Sequence, residues 1–341
     1  MAYSTIIKPS DYFNTKLYSG TGSSNAITGV GFQPDFVWQK SRSNGEGHGL
    51  FDVLRGVTNR IQSNTNSATS SQAGSLTAFG SDGFTVGGSP NNDAANGNGQ
   101  TFASWNWKAG TTSGISAGSQ TITPSAYSIN TTAGFGIYKW SRTGASTTDY
   151  FSHGLGATPT IAIQKRTDGA QDWYVNYTFV DGSMDYMNLN KVDDYQNGST
   201  TVPTSTNYYP KSPETGDYIT YLFTPIQGYS KFGTYNANNN ADGPFIYTGF
   251  APAFVMIKMW NGDDSWFMYD NKRSPFNVRG KYLVADGSGT DSNADAFDFL
   301  SNGFKLRTSA SSFNGNGAKF IYMAFAAAPL VGSNDIPANA R

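Results

Sequence analysis

Phe36, Trp38 and Lys40 alternate with Val37 and Gln39, the two-residue period of a pleated strand. The stretch before them, Gly31-Phe32-Gln33-Pro34-Asp35, holds an X-Pro bond that imposes an extended approach. The same pattern returns as Gly249-Phe250-Ala251-Pro252-Ala253-Phe254-Val255-Met256-Ile257-Lys258. A third, more divergent copy is Gly156-Ala157-Thr158-Pro159-Thr160-Ile161-Ala162-Ile163-Gln164-Lys165. Lys follows Pro by six positions in all three. Eight residues beyond each Lys stand His48, Trp173 and Trp266, and twelve beyond it Asp52, Tyr177 and Asp270. Aromatic strands close the copies at Phe102 to Trp107, Tyr218 to Phe223 and Phe320 to Phe325, and Lys40 to Trp107 spans the same 67 positions as Lys258 to Phe325. Repetition at this scale marks a module written three times.

Turn chemistry agrees. Ser81-Asp82-Gly83-Phe84 and Ser301-Asn302-Gly303-Phe304 are Asp/Asn-Gly turns leading into a strand. One segment, Gly49 to Arg60, has a short helical period, but its alignment with Trp266-Phe267-Met268-Tyr269 predicts strand. Many short strands with almost no helical periodicity predict an all-β chain of three tandem antiparallel β-sandwich modules, jelly-roll and concanavalin-like. The predicted modules are 1–110 with a short N-terminal arm, 111–228 and 229–332, followed by a tail at 333–341. The second module is expected to open with a strand around Ile122 to Ile129. Pro225-Ile226-Gln227-Gly228 leaves no room for a flexible tether, so modules two and three should pack at a fixed angle.

Composition narrows the function classes. Charged residues are 14% of the chain, aromatic residues 15%, and net charge is −1 with no Lys/Arg cluster. That pattern lacks the electrostatic footprint of a nucleic-acid binder. The chain has no cysteine, which removes disulfides and thiolate chemistry. No apolar run is long enough to span a membrane, and Met1 to Lys8 does not read as a signal peptide. A chain made in a cytoplasm and released by lysis fits these features.

With the repeats in place, the sequence resembles a family of structural proteins from tailed phages, marine ones infecting cyanobacteria in particular. The likeness is carried by Lys8-Pro9-Ser10-Asp11-Tyr12-Phe13-Asn14-Thr15-Lys16-Leu17-Tyr18, by Gly31 to Trp38, and by His48-Gly49-Leu50-Phe51-Asp52. Ser104-Trp105-Asn106-Trp107-Lys108-Ala109-Gly110 and Ile321-Tyr322-Met323-Ala324-Phe325-Ala326-Ala327-Ala328-Pro329 belong to it as well. The resemblance implies a virion setting, laminin-G or concanavalin-type sandwiches, and no catalytic motif.

Candidate chemistry is sparse. The two Glu, Glu46 and Glu214, sit in polar loops, which suits a glycosidase acid poorly. Asp193-Asp194 and Asp263-Asp264 read as solvated turns. Of the two histidines, His48 shares its register with two tryptophans, which predicts a structural site, and His153 reads as a surface loop residue. Loops at Asp286 to Asn293 and Asn236 to Asp242 offer oxygen ligands for calcium without EF-hand spacing. Asn96-Gly97-Asn98-Gly99 lacks the ending of a phosphate loop. Glycan binding is the best site hypothesis, with Trp173, Trp260, Trp266 and Tyr269 as stacking surfaces and Asp264 and Asp270 as hydroxyl partners.

The sequence therefore predicts a non-catalytic virion structural protein of tail-fibre or tail-appendage type, presenting a surface for host attachment. A capsid decoration or connector protein is the alternative, and a polysaccharide depolymerase the second. No cofactor, metal, nucleic acid or membrane span is expected. The expected partners are other virion proteins, a host surface glycan or receptor, and copies of itself in a homo-oligomer, a trimer first.

Overall fold

A computed structural model describes residues 4–88, 93–115, 120–144, 148–199, 201–211 and 214–331. The chain is all-β, 46% strand against 3% helix, with every pairing antiparallel.

The first module holds β1 (Phe13–Ser19), β2 (Asn25–Thr28), β3 (Phe36–Ser41), β4 (Gly49–Asp52), β5 (Asn59–Arg60), β6 (Ser70–Ser71), β7 (Leu76–Gly80), β8 (Gly83–Val86), α1 (Asp93–Asn96) and β9 (Thr101–Trp107). The second holds β10 (Ala126–Asn130), β11 (Phe135–Arg142), β12 (Phe151–Ser152), β13 (Ile161–Arg166), β14 (Tyr174–Tyr177), β15 (Met184–Asn188), β16 (Gln196–Ser199), β17 (Asn207–Tyr208) and β18 (Gly216–Phe223). The third holds β19 (Ser230–Asn236), β20 (Phe245–Tyr247), β21 (Phe250–Met259), β22 (Phe267–Asp270), β23 (Arg279–Val284), β24 (Ser292–Leu300), β25 (Gly303–Leu306), α2 (Ser311–Asn314) and β26 (Lys319–Pro329). The opening strand expected around Ile122 to Ile129 is β10, placed slightly later. The tail expected at 333–341 lies outside the described residues.

One four-strand order recurs three times: β1-β9-β3-β4, β11-β18-β13-β14 and β19-β26-β21-β22. Registers match as well. Phe36 faces Trp107, Ile161 faces Phe223 and Phe254 faces Phe325, while Lys40, Lys165 and Lys258 face Ala103, Ile219 and Ile321. Pro34, Pro159 and Pro252, each two residues upstream of the first pair, thus occupy equivalent places. A second layer covers each inner sheet. It is β2-β8-β7 in module one, β20-β25-β24 in module three and, among the described residues, the pair β12-β17 in module two. In module three the sheet is continuous and curls until its edges meet, with Lys231 Nζ donating to the Tyr247 carbonyl at 2.8 Å. The matched turns need glycine because a Cβ at Gly83 or Gly303 would collide with the carbonyl oxygen of Ile27 or Ile246 on the neighbouring strand.

The sequence led us to expect that each module would bury its apolar face in a core of its own. Each module does so, and the structure adds a second, shared core, because the inner strands are buried on both faces. Val37 packs outward with Ile27, Phe51, Leu76, Phe84 and Val86 in a core private to module one. Phe36 and Trp38, on the opposite face, join a second core that also draws Ile161, Phe223, Phe254 and Phe325 from the other modules. At its centre Trp107, Phe223 and Phe325 form a triangle, with ring centroids 6.3, 5.6 and 5.9 Å apart. Each triangle residue stands at the same place on the closing strand of its module. Three copies therefore wrap one aromatic axis, and so many buried rings supply the apolar area that fuses them.

Candidate functional site: the seams of the ring

Every module touches both others, and the contacts repeat in a cycle. The Arg42 carbonyl accepts the Asp291 N–H of module three at 2.8 Å. The Thr167 carbonyl accepts Thr69 N–H of module one at 2.9 Å, and the Trp260 carbonyl accepts Tyr195 N–H of module two at 3.1 Å. Each acceptor stands two residues past the repeated Lys. The next layer uses the ring eight residues past it. His48 Nε2 lies 2.9 Å from the Val284 carbonyl, Trp173 Nε1 donates to Gln62 at 2.8 Å, and Trp266 Nε1 donates to Asn188 at 2.9 Å. Module one leans on three, three on two, and two on one. The ring is closed within a single chain.

His48 shows why a histidine can share a position with tryptophan. The Trp38 indole can only donate, and it does so to His48 Nδ1 at 2.8 Å. The proton must then sit on Nε2, where it points at Val284. Burial holds this imidazole neutral, pushing its pKa down to about 3.

A third layer is ionic at two seams and apolar at the other. Asp52 receives Arg55 Nε at 2.6 Å and the Tyr221 hydroxyl of module two at 2.8 Å. Asp270 receives Arg273 Nε at 2.6 Å and the Trp105 indole of module one at 3.2 Å. The second oxygen of each caps its own turn, taking Leu54 and Arg55 N–H in one case and Lys272 and Arg273 N–H in the other. Between modules two and three the carboxylate position is Tyr177 and the donor position is Met323. Both positions differ from those at the other two seams. That seam keeps a small apolar cavity lined by Ile161, Val175, Met256, Trp266, Ile321 and Met323.

Lys40, Lys165 and Lys258 are fully buried beside these seams, and burial lowers each pKa to about 8. Their ammonium groups donate to backbone carbonyls. Lys165 reaches Asn66 of module one at 3.2 Å, Lys258 reaches Val192 of module two at 2.7 Å, and Lys40 stays on Ser41 of its own loop at 2.6 Å.

The structure disperses most of the sequence-predicted glycan residues into this framework. Trp173, Trp266, Tyr269 and Asp270 are buried, so they offer no face to a sugar. Trp173, Trp266 and Asp270 are seam residues. Tyr269 packs 4.6 Å from Phe297 in the private core of module three. Trp260 and Asp264 retain partial exposure, at the junction of modules two and three. The Trp260 ring meets Tyr195 edge-on at 5.2 Å and lies under Lys319 Nζ at 5.2 Å. Asp263 Oδ1 accepts Asp194 N–H at 3.2 Å, which brings the two acidic pairs together. His153, expected at the surface, is buried. Its Nδ1 accepts Leu155 N–H at 3.1 Å and its Nε2 reaches the Thr204 carbonyl at 3.0 Å.

The carboxylates of the Asp286 to Asn293 loop are already engaged. Asp286 accepts Trp266 N–H at 2.8 Å and the Ser265 hydroxyl at 2.9 Å, and Asp291 pairs with Arg42 and Arg273. Among the described residues no group of three or more His, Cys, Asp or Glu side chains is placed to hold a metal ion.

Two features escaped the sequence reading. Arg55 and Arg273 complete an Asp-x-x-Arg repeat that follows from carrying the register three residues further. Asn96-Gly97-Asn98-Gly99 recurs as Asn314-Gly315-Asn316-Gly317. Its first Asn is fully buried in both copies, with Asn96 donating to Gly87 at 3.0 Å and Asn314 to Thr308 at 2.8 Å.

Comparison with curated proteins gives no match, and comparison with solved structures gives none either. A family match does extend across all three modules. Over residues 8–329 the chain belongs to the family described as a domain of unknown function, DUF7483.

Proposed function

We propose that this chain is a structural component of a phage particle, of tail-fibre or tail-appendage type, that presents a surface for attachment to a host. The observation that carries this reading is the aromatic triangle Trp107–Phe223–Phe325, through which three modules become one stiff body. A fused ring of this kind holds its surface loops in fixed relative positions. The loops after Lys40, Lys165 and Lys258 leave equivalent ends of equivalent strands, so they gather at one end of the ring and differ there in sequence. The likeness to tailed-phage structural proteins supplies the setting. Other virion proteins, further copies of the chain and a host surface glycan are the partners this reading implies.

Labelled protein added to cyanobacterial host cells tests it. Saturable binding that also blocks infection supports attachment. Absence of binding at saturating protein overturns it, and a high copy number on a gel of purified particles would then favour capsid decoration.

A further inference from the structure

Module three fills the outer pocket of its inner sheet with Phe313, from α2. That ring lies 4.8 Å from Phe267, 6.0 Å from Tyr269 and 6.1 Å from Tyr282. Phe313 stands twelve residues before Phe325 of the triangle, and the residues twelve before Trp107 and Phe223 are Ala95 and Lys211. The backbone agrees for Ala95 and Phe313, whose carbonyls take hydroxyls from equivalent places on β1 and β19, whereas the Lys211 carbonyl takes its donor from β13. The Ala95 carbonyl accepts the Tyr18 hydroxyl at 2.9 Å, that of Phe313 accepts the Tyr235 hydroxyl at 2.9 Å, and that of Lys211 accepts Gln164 Nε2.

Counted back from the closing strand, module two carries a lysine where module three carries its aromatic plug, and Lys211 lies over Tyr186 as Phe313 meets Tyr282. Strand register makes Tyr174 the counterpart of Phe267, Asn176 that of Tyr269, and Tyr186 that of Tyr282. Lys211 Nζ stands 4.8 Å from the centre of the Tyr186 ring, and Tyr174 meets Tyr186 edge-on at 5.3 Å. Both tyrosines are partly exposed, whereas Phe267 and Tyr269 are buried. A pocket that is core in one copy has become a surface in another, and its lining has turned polar. The surrounding carboxylates are already neutralised: Asp172 pairs with Lys191 at 2.7 Å and Glu214 with Arg166 at 2.5 Å. Among the described residues no carboxylate pairs with Lys211.

We propose that this unplugged face of module two, built on Tyr174, Tyr186 and Lys211, binds a saccharide that carries a carboxylate. The apolar face of the sugar ring lies on a tyrosine ring, and its carboxylate meets the Lys211 ammonium. The inference deepens the attachment reading by naming what the surface holds.

Titration calorimetry of the full chain against oligogalacturonate, oligomannuronate and the neutral cellotetraose tests it. Binding of a uronate, with cellotetraose at least tenfold weaker, is expected. Tyr174→Ala and Lys211→Met should each weaken the uronate at least tenfold while near-UV circular dichroism stays unchanged. Lys211→Phe should restore the plug, abolish binding and raise the thermal midpoint. No heat with either uronate, equal binding of cellotetraose, or undiminished binding by Lys211→Phe would overturn the proposal. A chain that binds a uronate yet ignores host cells refutes attachment and leaves this site standing; the opposite pair of results removes this site alone.

Discussion

Tyr221 of module two donates its hydroxyl to Asp52 of module one at 2.8 Å, and the same place at the opposite seam is filled by Trp105 and Asp270. Equivalent positions thus perform one task with different chemistry. At the seam between modules two and three, Tyr177 and Met323 abandon it together.

Hydroxyl deletion should separate these seams. Tyr221→Phe removes a buried hydrogen bond to a charged group, a loss of about 1.5–3 kcal/mol. Tyr177→Phe removes a buried hydroxyl with no hydrogen-bond partner among the described residues and should cost less than about 1 kcal/mol or stabilise slightly. Urea titration of the two variants reads the difference. Equal losses would contradict the seam assignment.

Asp52→Ala strands the buried Arg55 guanidinium without its counter-ion. Breaking a buried pair from one side costs about 3–5 kcal/mol. Asp270→Ala should cost less, because the buried Arg273 keeps Asp291 as a second carboxylate at 3.2 Å. Denaturant midpoints of both variants provide the check, and a change within error for either would count against the Asp-x-x-Arg role.

Stability should vary with pH in three windows. His48 is held near 3 by burial, so the unfolded chain binds more protons as pH falls from its ordinary value of 6.5, and stability declines on acidification. Lys40, Lys165 and Lys258 sit near 8 instead of 10.5, so between those values the unfolded state again binds more protons and stability rises with pH. Tyr138, Tyr221 and Tyr235 are raised well above 10 by burial, so above pH 10 the unfolded state loses protons the native state keeps, and stability falls. Thermal midpoints from pH 4 to 11 should therefore peak on the alkaline side, near pH 9–10. A maximum at pH 6–7 would contradict this.

The triangle makes the ring cooperative. Phe325→Ala opens a void in the shared core and should cost about 3–5 kcal/mol. Because all three modules line that core, calorimetry should show one transition before and after the substitution. Separate melting of one module would count against the shared core.

Much of this architecture was legible in the sequence. The Pro-to-Lys spacing, the aromatic closing strands and the His48/Trp173/Trp266 register located the repeats, and the structure places them in or directly before matching strands. Ring closure was not legible, because burial on both faces of β3 looks the same whether the second face meets a private layer or another module. For that reason Trp173, Trp266 and Asp270, read as surface ligands, are seam residues. The Tyr174 and Tyr186 face could be found only by comparing modules in three dimensions, since it depends on what Lys211 fails to cover.

Closure of the ring is tested most directly by joining its first and last modules. The chain has no cysteine, so Arg42→Cys with Asp291→Cys introduces one pair at an ion pair of 2.8 Å between modules one and three. A short thiol cross-linker should then give a monomeric species of altered mobility on a denaturing gel, absent from either single variant. A doubly substituted monomer that resists cross-linking, or links only between molecules, would show that modules one and three do not meet.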